Sequence, residues 1–163
     1  MNDAPAAKAL IVDVAMPCPA WRRELPAAAR LARETARAVL ADAAVAAAEV
    51  SVVLSDDGEM RRLNRRWRGK DAPTNVLSFA TGETPMLGDV VLAFETVVRE
   101  AEQGNRPLVH HFRHLIVHGV LHLLGHDHEA EGDAVRMESR ERRILGAFGV
   151  PDPYRVADRC DHG

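Results

Sequence analysis

The sequence predicts a single α/β (α+β) domain, a small mixed sheet surrounded by about five helices. Three observations carry this. Short runs rich in β-branched residues alternate with longer stretches of helical spacing. A chain of 163 residues with 47% hydrophobic residues is long enough for a sizeable core. No repeat, low-complexity tract or interdomain linker divides it, so residues 1–163 read as one unit.

In order along the chain, residues 8–14 (Lys-Ala-Leu-Ile-Val-Asp-Val) read as a first strand. Residues 27–47, rich in alanine and arginine with leucines at helical spacing, read as a helix entered near Pro26. Residues 48–54 (Ala-Glu-Val-Ser-Val-Val-Leu) are a strand. Asp56, followed three residues later by Glu59, forms a capping box for a short helix to about Asn64. Residues 75–80 and 88–93 are two further strands. Residues 94–104 and 107–124 are helical, with Pro107 suited to a first turn, and 132–147 form a last helix of alternating charge. The tail beyond about 155 is expected to be loosely held.

A net charge of −3 argues against wholesale coating of nucleic acid, although local clusters override an overall balance. Cys18 and Cys160 lie near opposite ends, form no Cys-x-x-Cys motif and are expected to be free thiols. Asp13 interrupts the early apolar run, so no signal peptide is expected, and no apolar run reaches the roughly 18 residues of a membrane span. A cytoplasmic location follows as the expectation.

The densest chemical signal is His118-Gly-Val-Leu-His122-Leu-Leu-Gly125-His126-Asp127-His128. Residues four apart share a helix face, so His118 and His122 can aim two imidazoles at one ion. A continuing helix would carry the residue ten positions on roughly 15 Å along the axis. Gly125 is the residue type that ends a helix in the left-handed conformation, letting the chain turn back and deliver His128 as a third ligand. Three imidazoles with an open fourth position match catalytic rather than structural zinc. The spacing equals that of the H-E-x-x-H-x-x-G-x-x-H zinc peptidases, but their glutamate base is replaced by Gly119. The plain alternative, polar tips on a half-buried helix, explains a lone i, i+4 pair but not the third histidine and the glycine. Seven of the eight histidines lie between 110 and 128, so His110, His114 and His126 continue the ladder. His114 reads as a neighbour on the stripe, and His126 as an outer or solvent-facing group.

A second segment is Arg61-Arg62-Leu63-Asn64-Arg65-Arg66-Trp67-Arg68-Gly69-Lys70, in which six of ten residues are basic. The usual meaning of such a run is a solvated helix face. Arginine forks suit phosphate, and Trp67 offers a surface on which an unpaired base stacks. Arg61, Arg62, Arg65, Arg66, Trp67 and Lys70 are therefore candidate RNA contacts. The arginine preference itself carries little weight, because lysine is scarce throughout.

The histidine motif, together with Leu63-Asn64, Arg68-Gly-Lys-Asp71-Ala-Pro73-Thr74-Asn75-Val76-Leu77-Ser78-Phe79, Leu87-Gly88-Asp89-Val90 and Asp152-Pro153-Tyr154, resembles the YbeY family of rRNA-maturation endoribonucleases. The resemblance runs from about residue 50 to near the end. It implies a single-strand-specific, metal-dependent RNase acting in 16S rRNA 3′-end maturation and ribosome quality control. It implies one zinc ion on His118, His122 and His128, a functional Arg68, and a mixed four-stranded sheet with helices around it. The implied partners are single-stranded RNA, rRNA and the small ribosomal subunit, with neither membrane nor DNA. Three positions depart from the family pattern: Trp67 and His126 stand where tyrosine is usual, and Ala80 where proline is.

RNA cleavage passes through a phosphorane-like state of added negative charge, which zinc and Arg68 are suited to stabilise. Asp89 and Asp127 are candidates to orient ligand imidazoles through their second nitrogens. The nucleophile, water or the substrate 2′-hydroxyl, stays open at this point. A peptidase-like hydrolase and a ribosome-associated factor with a mainly structural metal are the competing classes.

Overall fold

The computed structural model describes residues 9–126 and 131–154. Its centre is a four-stranded sheet, β1 (Leu10–Ala15), β2 (Ala48–Ser55), β3 (Val76–Ala80) and β4 (Met86–Ala93), in the order β1-β2-β4-β3. β1, β2 and β4 run parallel, and β3 pairs antiparallel with β4 at the edge. The sheet is therefore mixed, as the sequence predicts.

Alternation in β2 decides where the core lies. Ala48, Val50, Val52 and Leu54 are buried in the main cluster, whereas Glu49, Ser51 and Val53 face the other way and are half-buried. Against the first face pack α2 (Ala28–Asp42) and α5 (Leu108–Leu123), with α6 (Glu131–Ala147) beyond them. α2 contributes Ala28, Leu31, Ala32, Thr35, Ala36, Val39 and Leu40, a continuous i, i+3, i+4 stripe. The other face carries a smaller cluster, in which Met60 of α3 (Asp57–Arg68) covers Leu77, Val91 and Ala93. α4 (Phe94–Gln103) follows directly from β4.

Six helices occur among the described residues, five of them at the expected places. The sixth, α1 (Ala20–Glu24), is a single short turn held by burial of Trp21, whose indole Nε1 donates to Ser55 O at 2.8 Å. α2 stops at Asp42, short of the expected 47, because the chain reverses through Ala44 at φ 58° to start β2. α3 overruns the expected end near Asn64 and continues to Arg68. Asp56 caps its start, accepting from Glu59 N at 2.9 Å, but the Glu59 carboxylate pairs with Arg62, so the capping box is half made. Cys18 is a buried free thiol. Cys160 and the tail beyond Tyr154 lie outside the described residues.

Candidate metal centre and cleft

α5 is a buried helix with one polar stripe. Phe112, Leu115, Ile116, Val120, Leu121 and Leu123 enter the core, while His114, His118 and His122 share the remaining face. The helix sits unusually close to the sheet at Gly119. A Cβ there would lie 2.6 Å from Val90 Cγ1 and 3.3 Å from Ser78 Oγ, and Ser78 Oγ donates to Gly119 O at 2.9 Å. The position after His118 is thus filled by β3 and β4, and a glutamate cannot be accommodated. α5 ends as predicted. Gly125 takes φ 98°, its N–H donates to His122 O at 3.0 Å, and His126 N donates to Leu121 O at 3.0 Å. These two bonds form a Schellman termination. Asp127 and His128 lie outside the described residues.

The two ligand candidates within reach converge. His118 Nε2 and His122 Nε2 are 3.1 Å apart, with ring planes at 73°. Two nitrogens each bound to a tetrahedral zinc at about 2.0–2.1 Å would be roughly 3.3 Å apart, so the pair fits one ion. His118 is fixed from behind: its Nδ1 lies 2.6 Å from Glu141 Oε2. Glu141 is fully buried on α6. Tyr154 Oη donates to its other oxygen, and His114 Nε2 lies 3.7 Å from that oxygen and 3.3 Å from Tyr154 Oη. Burial by itself would raise the Glu141 carboxyl, but hydrogen bonds from His114, His118 and Tyr154 outweigh it and hold it down to about 2. A carboxylate only accepts, so His118 donates from Nδ1, and Nε2 is left to face His122. Burial, and then the neighbouring carboxylate, push the Tyr154 phenol well above its usual range and keep it a donor.

His114, His118 and Glu141 also bring one ligand atom each to within 4.8 Å of one another, a group that could hold a metal ion. Glu141 was not anticipated from the sequence. The signal was present in α6, where Met137, Glu141, Ile144 and Leu145 share one buried face, so a carboxylate interrupts an apolar stripe. Asp89, expected to orient an imidazole, has no imidazole partner among the described residues. It is exposed on β4, one residue before Val90, and Val90 faces α5, so alternation sends Asp89 to the opposite side of the sheet. His126 is half-buried, and burial followed by Arg140 and Arg136 lowers its pKa.

A cleft of about 560 Å³ opens over the histidines. It is lined by His114, His118 and His122 of α5 with Tyr154, by Thr74, Asn75, Val76, Ser78 and Ala80 in and just before β3, and by Arg68 at the end of α3. The rest of the basic run is not gathered there. Arg61 pairs with Asp71 at 2.8 Å, Arg65 approaches the same carboxylate at 3.8 Å, and Arg62 pairs with Glu59. Arg66 and Lys70 are exposed. Trp67 is 61% exposed, with Arg66 over its ring at 5.2 Å and Phe79 edge-on at 6.4 Å.

A family model described as endoribonuclease YbeY matches residues 21–149. The chain belongs to the YbeY endoribonuclease family. An endoribonuclease YbeY from Rhodopseudomonas palustris (strain BisA53) is 48% identical over 167 residues, covering 96% of this chain and 94% of that protein. One from Paramagnetospirillum magneticum (strain AMB-1) is 48% identical over 155 residues, covering 88% and 94%. A solution structure from Thermotoga maritima superposes with a TM-score of 0.55 at 21% identity, covering 89% of this chain and 99% of that one, a likeness of fold. In this YbeY member, no helix among the described residues is long and apolar enough to cross a membrane.

Proposed function

We propose that this chain is a single-strand-specific, zinc-dependent endoribonuclease acting in 16S rRNA 3′-end maturation and ribosome quality control, in the cytoplasm and on the small ribosomal subunit. Family membership supports RNA cleavage. The observation that carries the metal chemistry is the pair of Nε2 atoms of His118 and His122, 3.1 Å apart in the lining of the cleft. His118, His122 and His128 would hold the zinc, with Glu141 as the partner that orients His118. Glu141 serves better as that partner than as a ligand. Its 2.6 Å contact with His118 Nδ1 is a hydrogen-bond distance, shorter than two ligands of one ion adopt.

Zinc in such a site supplies Lewis-acid polarisation and a bound water of near-neutral pKa. The chain's own residues supply the rest. Arg68 offers a planar fork to the non-bridging oxygens where charge develops. Tyr154 and Glu141 keep the His118 ring from turning. Residue 119 supplies no base, so the peptidase reading lacks its proton acceptor, for a steric reason.

The test is single-turnover cleavage of a defined single-stranded RNA by metal-replete, chelated and His118→Ala protein. Cleavage by the replete protein alone is expected. Equal cleavage by all three preparations would mean a contaminating nuclease and overturn the reading.

A further inference from the structure

Asn75 lines the cleft together with the histidines and lies immediately before β3. Its amide nitrogen donates to Glu100 Oε1 of α4 at 3.0 Å. The same oxygen accepts from His111 Nε2 of α5 at 2.9 Å. A carboxylate only accepts, so His111 donates from Nε2 to Glu100. His111 is buried, and burial lowers its pKa; its Nδ1 is buried with no partner among the described residues. Glu100 is thus anchored as an acceptor by a second residue.

This arrangement fixes which way the Asn75 amide faces. A carboxylate has no hydrogen to give, so it can be approached only by the NH₂ end. The carbonyl end, Oδ1, is what remains for the cleft. Ser78, in β3, spends its hydroxyl hydrogen on Gly119 O and also presents oxygen lone pairs. The β3 side of the lining therefore offers acceptors, while α5 and Arg68 offer imidazoles and a guanidinium. Phosphate is poorly served by the acceptor side, whereas a hydroxyl or amine is well served.

Building on the RNA reading above, we infer that Asn75, oriented by Glu100 and His111, is a specificity-determining residue whose Oδ1 accepts a hydrogen bond from a nucleotide donor, the ribose 2′-hydroxyl or a base N–H. A site built around a hydroxyl penalises the analogue lacking it, because the polar group is desolvated without a partner. The 2′-hydroxyl is the group that separates RNA from DNA.

The experiment compares affinities for short fluorescent oligo(A), oligo(dA), oligo(U) and oligo(dU), read by stopped-flow anisotropy before cleavage. The proteins are wild type, Asn75→Ala and Glu100→Leu, each checked by circular dichroism. Glu100→Leu matters because it removes the acceptor that holds the amide nitrogen, releasing the Asn75 amide to turn without altering that residue. It alone suffices if Asn75→Ala fails to fold. Loss of about tenfold in affinity, confined to the RNA strands, assigns the donor to the 2′-hydroxyl. The same loss in RNA and DNA strands alike assigns it to the bases. Unchanged affinities for all four strands in folded variants overturn the inference and leave RNA binding intact. Failure of wild type to bind any strand overturns the RNA reading itself, and the inference with it.

Discussion

The histidine face of α5 and the arginine face of α3, which touches the cleft only through Arg68, are built in opposite ways. His118 is half-buried and held by a buried carboxylate, which is itself held by Tyr154. The arginines of α3 are exposed, and three of them are engaged with Glu59 and Asp71 on their own helix or just beyond it. The first face is preorganised, so its groups lose little freedom when they act. The second is an exposed charged surface whose members are already paired with carboxylates. Only Arg68, at the end of α3, reaches the cleft. Chemistry is thus expected to belong to the buried face and salt-sensitive attraction to the exposed one.

The strongest test of that division removes the buried face. The double substitution His118→Ala/His122→Ala is expected to take metal content from about one equivalent to none, with cleavage lost. Elemental analysis decides it, and full metal recovery would place the ion elsewhere, for instance on His114 and Glu141. The metal's contribution to thermal stability should vanish in the same variant.

Arg68→Ala tests whether one exposed residue shares in the chemistry. Cleavage should fall by about one to three orders of magnitude, the range for losing a preorganised charge-stabilising donor, with metal content unchanged. Arg68→Lys should restore only part, since a point charge lacks the bidentate fork. Unaltered cleavage in Arg68→Ala would leave α3 without a catalytic part.

Glu141→Gln weakens the preorganisation while keeping the volume. Metal affinity should drop by about 10- to 100-fold, as for other partners of ligating histidines. Complete loss of metal instead would assign Glu141 to direct coordination.

The smallest effects belong to the exposed face. Neutralising Arg61, Arg62, Arg65 and Arg66 together should flatten the log–log dependence of RNA affinity on salt, which for single strands is about 0.7 per phosphate contacted. Cleavage of saturating substrate should persist. Asp71→Asn, by releasing Arg61 and Arg65, should steepen that slope slightly. A four-arginine variant with the parental slope would make the run an ordinary solvated face.

The unequal legibility of the two faces has a physical cause. Local signals, a period of four and a helix-ending glycine, were enough to read His118, His122 and the stop of α5, because all lie within a few residues. Glu141 lies 23 positions from its partner and on another helix, so only its place in an apolar stripe hinted at burial. α1 was missed because five residues carry no periodicity, and its stability comes from Trp21 reaching a distant strand. α3 runs past Asn64, whose side chain is buried and donates to Ala72 O at 2.8 Å, a contact to a residue beyond the helix that local spacing does not show. Asp89 misled because a motif position was read without the face of its strand. The sheet was easier, since β-branched runs with alternating burial tolerate only one orientation toward the core.

Gly119 bears on how this chain relates to the peptidases whose histidine spacing it shares. Glycine and glutamate codons differ by as little as one base, so the peptidase signature is a single mutational step away. That step is closed. A new side chain would have to displace Val90 in the fully packed centre of the sheet, and overpacking of that kind costs roughly 1–3 kcal/mol even for a few added methylenes. An enzyme of this shape cannot drift toward the other chemistry without first separating a helix from its sheet. The histidine pattern can thus be common to both while neither is a stepping stone to the other.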